Sequence, residues 1–185
     1  MGLPRSPCIL TLMPRSLPIH FRPLAEADLR LLCTWRAEPE VARWYGKALD
    51  LAKIEAKYRP RIEGREPVES FVIEVDARPV GHVQRYRLTA FPKYALRTGV
   101  SDRAVGMDLY VGEQDVRGRG LGTRVIEQFA AMCFENFPLA PLIVAGPDPS
   151  NLRSIRAFER AGFQYQRTIP AADGEGPEHV VVRTR

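Results

Sequence analysis

The apolar residues of this chain fall into two rhythms, one helical and one alternating or continuous. Leu24, Leu29, Leu31, Leu32 and Trp35 lie largely on one helical face, so residues 24–37 are predicted as a helix, broken by Pro39. Residues 40–45 form a short helix, and residues 51–63 another with Ile54 and Tyr58 on a shared face and Gly64 as its stop. Residues 17–23 read as a short strand. Residues 70–75 and 80–88 form a hairpin around Asp76-Ala77-Arg78-Pro79. Residues 89–103 read as a long loop carrying Phe91, Tyr94 and Asp102, and residues 104–112 as a strand. Val125, Ile126, Phe129, Met132, Cys133 and Phe137 recur at the spacing of a buried helical face over 123–137. Residues 142–145 are continuously apolar, as in a strand buried on both sides. A helix then follows in which Asp148 caps and Pro149 enters the first turn. Gly162 ends it, with Phe158 and Phe163 placed for the apolar contact of a Schellman motif. Residues 163–169 and 179–183 form a last hairpin around Asp173-Gly174. This order predicts one mixed α/β domain over 18–185, with an antiparallel start. Residues 1–17 are read as a disordered tail, with Met13 an alternative start to Met1.

The chemistry gathers around Val116-Arg117-Gly118-Arg119-Gly120-Leu121-Gly122-Thr123, between a strand and a helix. Glycine reaches backbone angles closed to other residues and leaves amide groups uncovered. Such amides at a helix N-terminus attract anions. Arg117 and Arg119 add charge beside them and are expected to contact phosphate. Two familiar phosphate loops do not fit. Gly122 is followed by Thr123-Arg124 rather than Lys-Ser/Thr, and the glycines run G-x-G-x-G rather than G-x-G-x-x-G. One strand upstream, Asp108 stands inside Gly106-Met107-Asp108-Leu109-Tyr110-Val111. A carboxylate in an otherwise apolar strand is costly without a task, so Asp108 is a candidate for function.

Composition narrows the field. The chain has 185 residues, 45% hydrophobic and 26% charged, which suits one globular domain with a full core. The formal charge of +5 fits an anionic ligand. No long basic run or basic–aromatic interleaving points to nucleic acid, and no apolar run approaches a membrane span. The 3 cysteines (Cys8, Cys33, Cys133) lack metal spacing and suit a reducing cytoplasm, and the 3 histidines are scattered. No metal is expected.

Three separated motifs then agree: the loop 116–123, the run Asp148-Pro149-Ser150-Asn151-Leu152-Arg153-Ser154-Ile155-Arg156, and Phe158-Glu159-Arg160-Ala161-Gly162-Phe163. Trp44-Tyr45-Gly46, Tyr58-Arg59-Pro60, Pro79-Val80-Gly81-His82-Val83-Gln84 and Val182-Arg183-Thr184-Arg185 follow the same order. Together they resemble the GNAT acyltransferases in their aminoglycoside 6′-N-acetyltransferase branch, over roughly residues 18–185. The resemblance implies a central, mostly antiparallel twisted sheet, splayed at the acyl-CoA site and flanked by helices. It implies acetyl-CoA as co-substrate and a small-molecule amine as acceptor, in a monomer or homodimer. It places Val111, Arg117, Gly118, Arg119, Gly120, Leu121, Gly122, Thr123 and Asn151 at the cofactor. Asp148, Asp102, Trp44 and Tyr58 fall at the acceptor, and Asp108 becomes the base or the binder of the reacting amine.

Physical chemistry constrains that assignment. A primary amine with a pKa of about 10.4 arrives protonated, whereas attack on a thioester needs its free lone pair. Asp108 must therefore be raised by burial, relay a proton through water, or act by orienting the amine. A polycationic acceptor also needs local acid, for which Glu69, Asp102, Asp108, Asp148 and Asp173 are available. One departure stands out: Phe158 occupies a position where many relatives carry a tyrosine assigned to protonating the thiolate. The thiol's pKa of about 8.5 allows it to leave unassisted. Two other readings compete. One is an acyltransferase of siderophore biosynthesis acting on a hydroxylysine-type amine, whose relatives usually carry histidine at position 108. The other is a binding protein without turnover.

Overall fold

The computed structural model describes residues 17–171 and 176–185. Residues 1–16 of the expected tail over 1–17, both candidate starts, and Asp173-Gly174 lie outside the described residues. A seven-stranded sheet runs in the order β1-β2-β3-β4-β5-β7-β6. Its strands are β1 (Ile19–Pro23), β2 (Val68–Val75), β3 (Arg78–Arg87), β4 (Val105–Val111), β5 (Leu142–Ala145), β6 (Gln164–Ile169) and β7 (Glu178–Thr184). Every neighbouring pair is antiparallel except β4 and β5. These two are bonded only over Val105↔Ile143 and Gly106↔Val144. Beyond that point β4 runs on to Val111 beside β3, and its other edge parts from β5.

Helices cover both faces because alternate strand residues are apolar on both. Helix α5 (Leu121–Asn136) inserts Val125, Ile126, Phe129 and Cys133 against Ile73, Val83, Val105, Met107 and Ile143. Each such side chain contributes about 1.5–3 kcal/mol on full burial. Burial also pushes the Cys133 thiol up to about 11, so it packs as a small hydrophobe. On the opposite face α1 (Leu29–Ala37), α2 (Pro39–Tyr45) and α3 (Leu51–Ile62) enclose Leu32, Trp35, Ile54, Tyr58, Val72 and Tyr110.

The predicted elements differ from the observed ones in places. The first helix was expected from residue 24, but a 3-10 turn over Glu26–Asp28 precedes α1. Arg22 binds Asp28 there, at 2.8 Å from Nη1 to Oδ2. The expected loop over 89–103 contains a 3-10 turn (Leu88–Ala90) and α4 (Pro92–Thr98). Pro92 enters that helix at its start and Gly99 ends it at φ 69°. The helix α6 (Leu152–Arg160) begins later than expected, and Asn151 rather than Asp148 caps it, accepting from the Ser154 amide at 3.1 Å. Asp148 instead closes its own small turn, accepting from the amide and hydroxyl of Ser150. The end of α6 is as predicted. Phe163 N bonds Phe158 O, Gly162 N bonds Glu159 O, and the two phenylalanine rings meet edge to face at 5.0 Å.

Candidate active site

Where β4 and β5 part, a cleft of about 780 Å³ opens between α2, β4, the 117–123 loop with α5, and α6. One wall is backbone. Gly118 and Gly120 adopt φ 78° and 79°, the left-handed region that costs other residues about 1–2 kcal/mol. These angles turn the chain so that α5 starts at Leu121 with no side chain capping it. Leu121, Gly122 and Thr123, whose amides have no partner within the helix, all line the cleft. The positive end of α5 therefore faces the cavity.

The charge beside this nest does not come from the two loop arginines as expected. Arg117 lines the cleft, but its guanidinium is turned inward and only 8% exposed. It donates to Val111 O at 2.9 Å, to Gly112 O and to the Glu38 carboxylate. All three contacts tie the loop to the end of β4 and the start of α2. Arg119 is exposed and does not line the cleft. Among the described residues, the other arginines of the cleft are Arg43 on α2 and three on α6. Arg153, Arg156 and Arg160 are all exposed and all line it. Their i, i+3, i+7 spacing puts them on one face, away from the buried Ile155 and Phe158. That periodicity was the sequence signal for them. Asn151 lines the same wall with its side chain committed to the helix cap, and Val111 lines it at the end of β4.

The other wall centres on Asp108, half-buried where β4 leaves β5. Gln84, its direct neighbour across the β3–β4 ladder, donates Nε2 to Oδ2 at 2.9 Å. Gly106 lets the Tyr86 ring lie flat against β4 beside it; a Cβ there would fall 2.3 Å from that ring. Removal from water pushes the Asp108 carboxyl above the usual carboxylate range. Gln84, the charges of Arg61 and Lys57, and the Tyr86 hydroxyl oppose that rise. Trp44 lines the cleft from α2, with Arg43 stacked on its ring at 4.7 Å. Glu40, one helical turn before Trp44, also lines it and was missed by the sequence reading. Asp148 lines the cleft at the end of β5.

Other expected residues lie elsewhere. Tyr58 is 3% exposed in the core behind β4, its ring packed on His82. Asp102 is exposed in the turn after α4 and does not line the cleft. Glu69 is paired with Arg85 at 2.8 Å on the outer part of the sheet. Of the acids expected to converge, Asp108 and Asp148 do so, joined by Glu40; Asp173 is outside the described residues. His82 cannot act as base: it is buried between Tyr58 and Tyr110, and desolvation drives its pKa down to about 3. Phe158 lines the cleft with no proton to give, and Tyr165 is exposed on β6, outside the lining. The phenols that do line it are Tyr45, whose hydroxyl donates to Leu109 O, and Tyr110. Among the described residues no three His, Cys, Asp or Glu side chains gather to hold a metal, and no helix is long and apolar enough to cross a membrane.

The fold that frames this cleft is shared with known proteins. Residues 25–171 match the Acetyltransferase (GNAT) domain. The chain belongs to the GNAT acetyltransferases. It is 29% identical over 170 residues to the aminoglycoside N(6′)-acetyltransferase type 1 of Klebsiella pneumoniae, covering 90% of this chain and 83% of that one. It is 39% identical over 80 residues to a kanamycin resistance protein of Rhizobium radiobacter, covering 43% of this chain and 71% of the other. The aminoglycoside acetyltransferase AAC(6′)-Ib, solved in complex with coenzyme A and kanamycin, superposes with a TM-score of 0.76 at 28% identity, over 91% of this chain and 95% of that one. The expected α/β GNAT fold and acyltransferase class are thus borne out.

Proposed function

We propose that this GNAT enzyme transfers the acetyl group of acetyl-CoA to the 6′-amino group of an aminoglycoside. The observation that carries the reading is the placement of Asp108, half-buried at the opening of β4, in the same cleft as the uncapped start of α5. The likeness to N(6′)-acetyltransferases over 90% of the chain supports the choice of acceptor. The Gly118–Thr123 amides hold the pyrophosphate, and the α6 arginines add the charge that a tetra-anionic cofactor needs. The pantetheine arm runs past Val111 and Asn151 toward Asp108. Trp44 supplies an apolar platform for a sugar ring, and Glu40, Asp108 and Asp148 offset the acceptor's charges.

In the reaction the ammonium first binds beside Asp108. Asp108, raised by burial, accepts one proton directly or through a water. The freed nitrogen lone pair attacks the thioester carbonyl and the C–N bond forms; the nitrogen, now cationic, gives its second proton to solvent, and the C–S bond breaks as the tetrahedral intermediate collapses to the neutral amide. The thiolate takes its proton from solvent, since Phe158 offers none and a thiol of pKa about 8.5 is a competent leaving group.

The test is release of coenzyme A, followed by thiol detection, on aminoglycosides that have or lack a 6′-amine and on hydroxylysine-type amines. Turnover confined to 6′-amino compounds is expected. Turnover on the hydroxylysine-type amines alone would move the protein to siderophore chemistry. Binding of acetyl-CoA without turnover would make it a binding protein.

A further inference from the structure

Asp108 is at the end of a chain of side chains that begins outside the cleft. Gln84 donates Nε2 to Asp108 Oδ2 at 2.9 Å, and its Oε1 accepts from Arg61 Nη1 at 2.8 Å. Arginine has only donors, so this contact decides which end of the Gln84 amide faces which neighbour. The NH2 group must face Asp108. Arg61 is itself fixed. Its Nε donates to Glu66 Oε2 at 3.0 Å, its guanidinium lies over the Tyr58 ring at 5.2 Å, and its side chain is 13% exposed. Neither Arg61 nor Gln84 lines the cleft.

We propose that Arg61 and Gln84 are positioning residues of the acetyl transfer: Arg61 locks the Gln84 amide, and Gln84 holds one oxygen of Asp108 so that the other meets the acceptor amine. This rests on the function proposed above. The arrangement answers a difficulty of that site. A half-buried carboxylate that must bind a cation needs help to stay ionised, yet a cation in direct contact with its free oxygen would take the place of the acceptor amine. Arg61 delivers its charge through an amide from α3, outside the lining of the cleft. The groups facing Asp108 are Gln84 and Tyr86 from β3, Arg61, Lys57 and Tyr58 from α3, and Tyr45 from α2. Arg61 and Lys57 are the cations among them.

The test uses the full chain with Gln84→Met, Arg61→Met and Arg61→Lys. Two readouts are taken: kcat and KM against pH, and the titration of the Asp108 carboxyl carbon by NMR without substrate. Arg61→Met should raise the Asp108 midpoint by about one pH unit and move the acidic limb of kcat with it. Arg61→Lys, which keeps the charge, should bring the midpoint back toward wild type. Gln84→Met should lower kcat about a hundredfold, with KM for acetyl-CoA unchanged. An unmoved midpoint in Arg61→Met, or full kcat in Gln84→Met, would overturn the proposal. If Gln84→Met does not fold, the Arg61 titrations decide. If the wild type acetylates no amine, the proposed function fails, while the titration still judges the relay.

Discussion

The wall that carries Gly118 to Thr123 is made from one unbroken stretch of chain, whereas the wall around Asp108 is lined by α2 and β4 and supported by side chains of α3 and β3. The first works through backbone: two glycines in the left-handed region and a helix start with no side-chain cap. The second works through side chains whose partners are far apart in sequence, Arg61 to Gln84 and Gln84 to Asp108. The ligands proposed for the two walls account for the contrast. A phosphate is held well by any set of converging amides. A carboxylate that orients and deprotonates an amine needs a set protonation state and a set direction, which only a supporting shell of neighbours can give.

The difference can be sharpened by substitution, and the largest effect belongs to the acceptor wall. Asp108→Asn keeps the size of the side chain and removes the proposed base; kcat should fall about 10²–10⁴-fold in steady-state assays at saturating acetyl-CoA. In the wild type, kcat/KM should decline as pH falls through the raised pKa of Asp108, at a higher pH than an ordinary carboxylate would give. Gly120→Ala, at φ 79°, should instead strain the nest by about 1–2 kcal/mol and raise KM for acetyl-CoA about tenfold, leaving KM for the acceptor near its original value. Arg153→Gln with Arg156→Gln should raise the same KM about two- to fivefold, an effect that shrinks with added salt because both side chains are exposed. The smallest effect is on stability. Asp108 has a folded pKa above its unfolded value, so ionising it costs the native state, and that cost is present above the folded pKa. Asp108→Asn should therefore melt higher than wild type at neutral pH by scanning calorimetry, and the gain should vanish as pH falls through that pKa.

The same contrast explains what the sequence disclosed. The nest was legible because its demands are local: glycines at fixed offsets between a strand and a helix. The end of α6 was legible for the same reason, with Phe158, Gly162 and Phe163 each in its place. Asp108 could be singled out by being a lone acid in an apolar strand. Its support could not, since nothing in the neighbourhood of Arg61 or Gln84 in sequence announces that they meet. Tyr58 went astray because an aromatic residue at helical spacing serves a core or a cleft equally well, and here it joins the core behind β4. Arg117 went astray because its charge is satisfied by carbonyls at the end of β4 and by Glu38, contacts that close only when the strand and α2 are in place. Helix α4 was overlooked because seven residues are too few for a periodic signal, although Pro92 and Gly99 mark its two ends.

The division of labour between the two walls is tested most directly by measuring acetyl-CoA binding and turnover together in wild type and Asp108→Asn. Titration calorimetry should give the two proteins the same acetyl-CoA affinity, while coenzyme A release with a 6′-amino aminoglycoside should be lost in the variant. Weakened cofactor binding in Asp108→Asn, or turnover that survives it, would contradict the account.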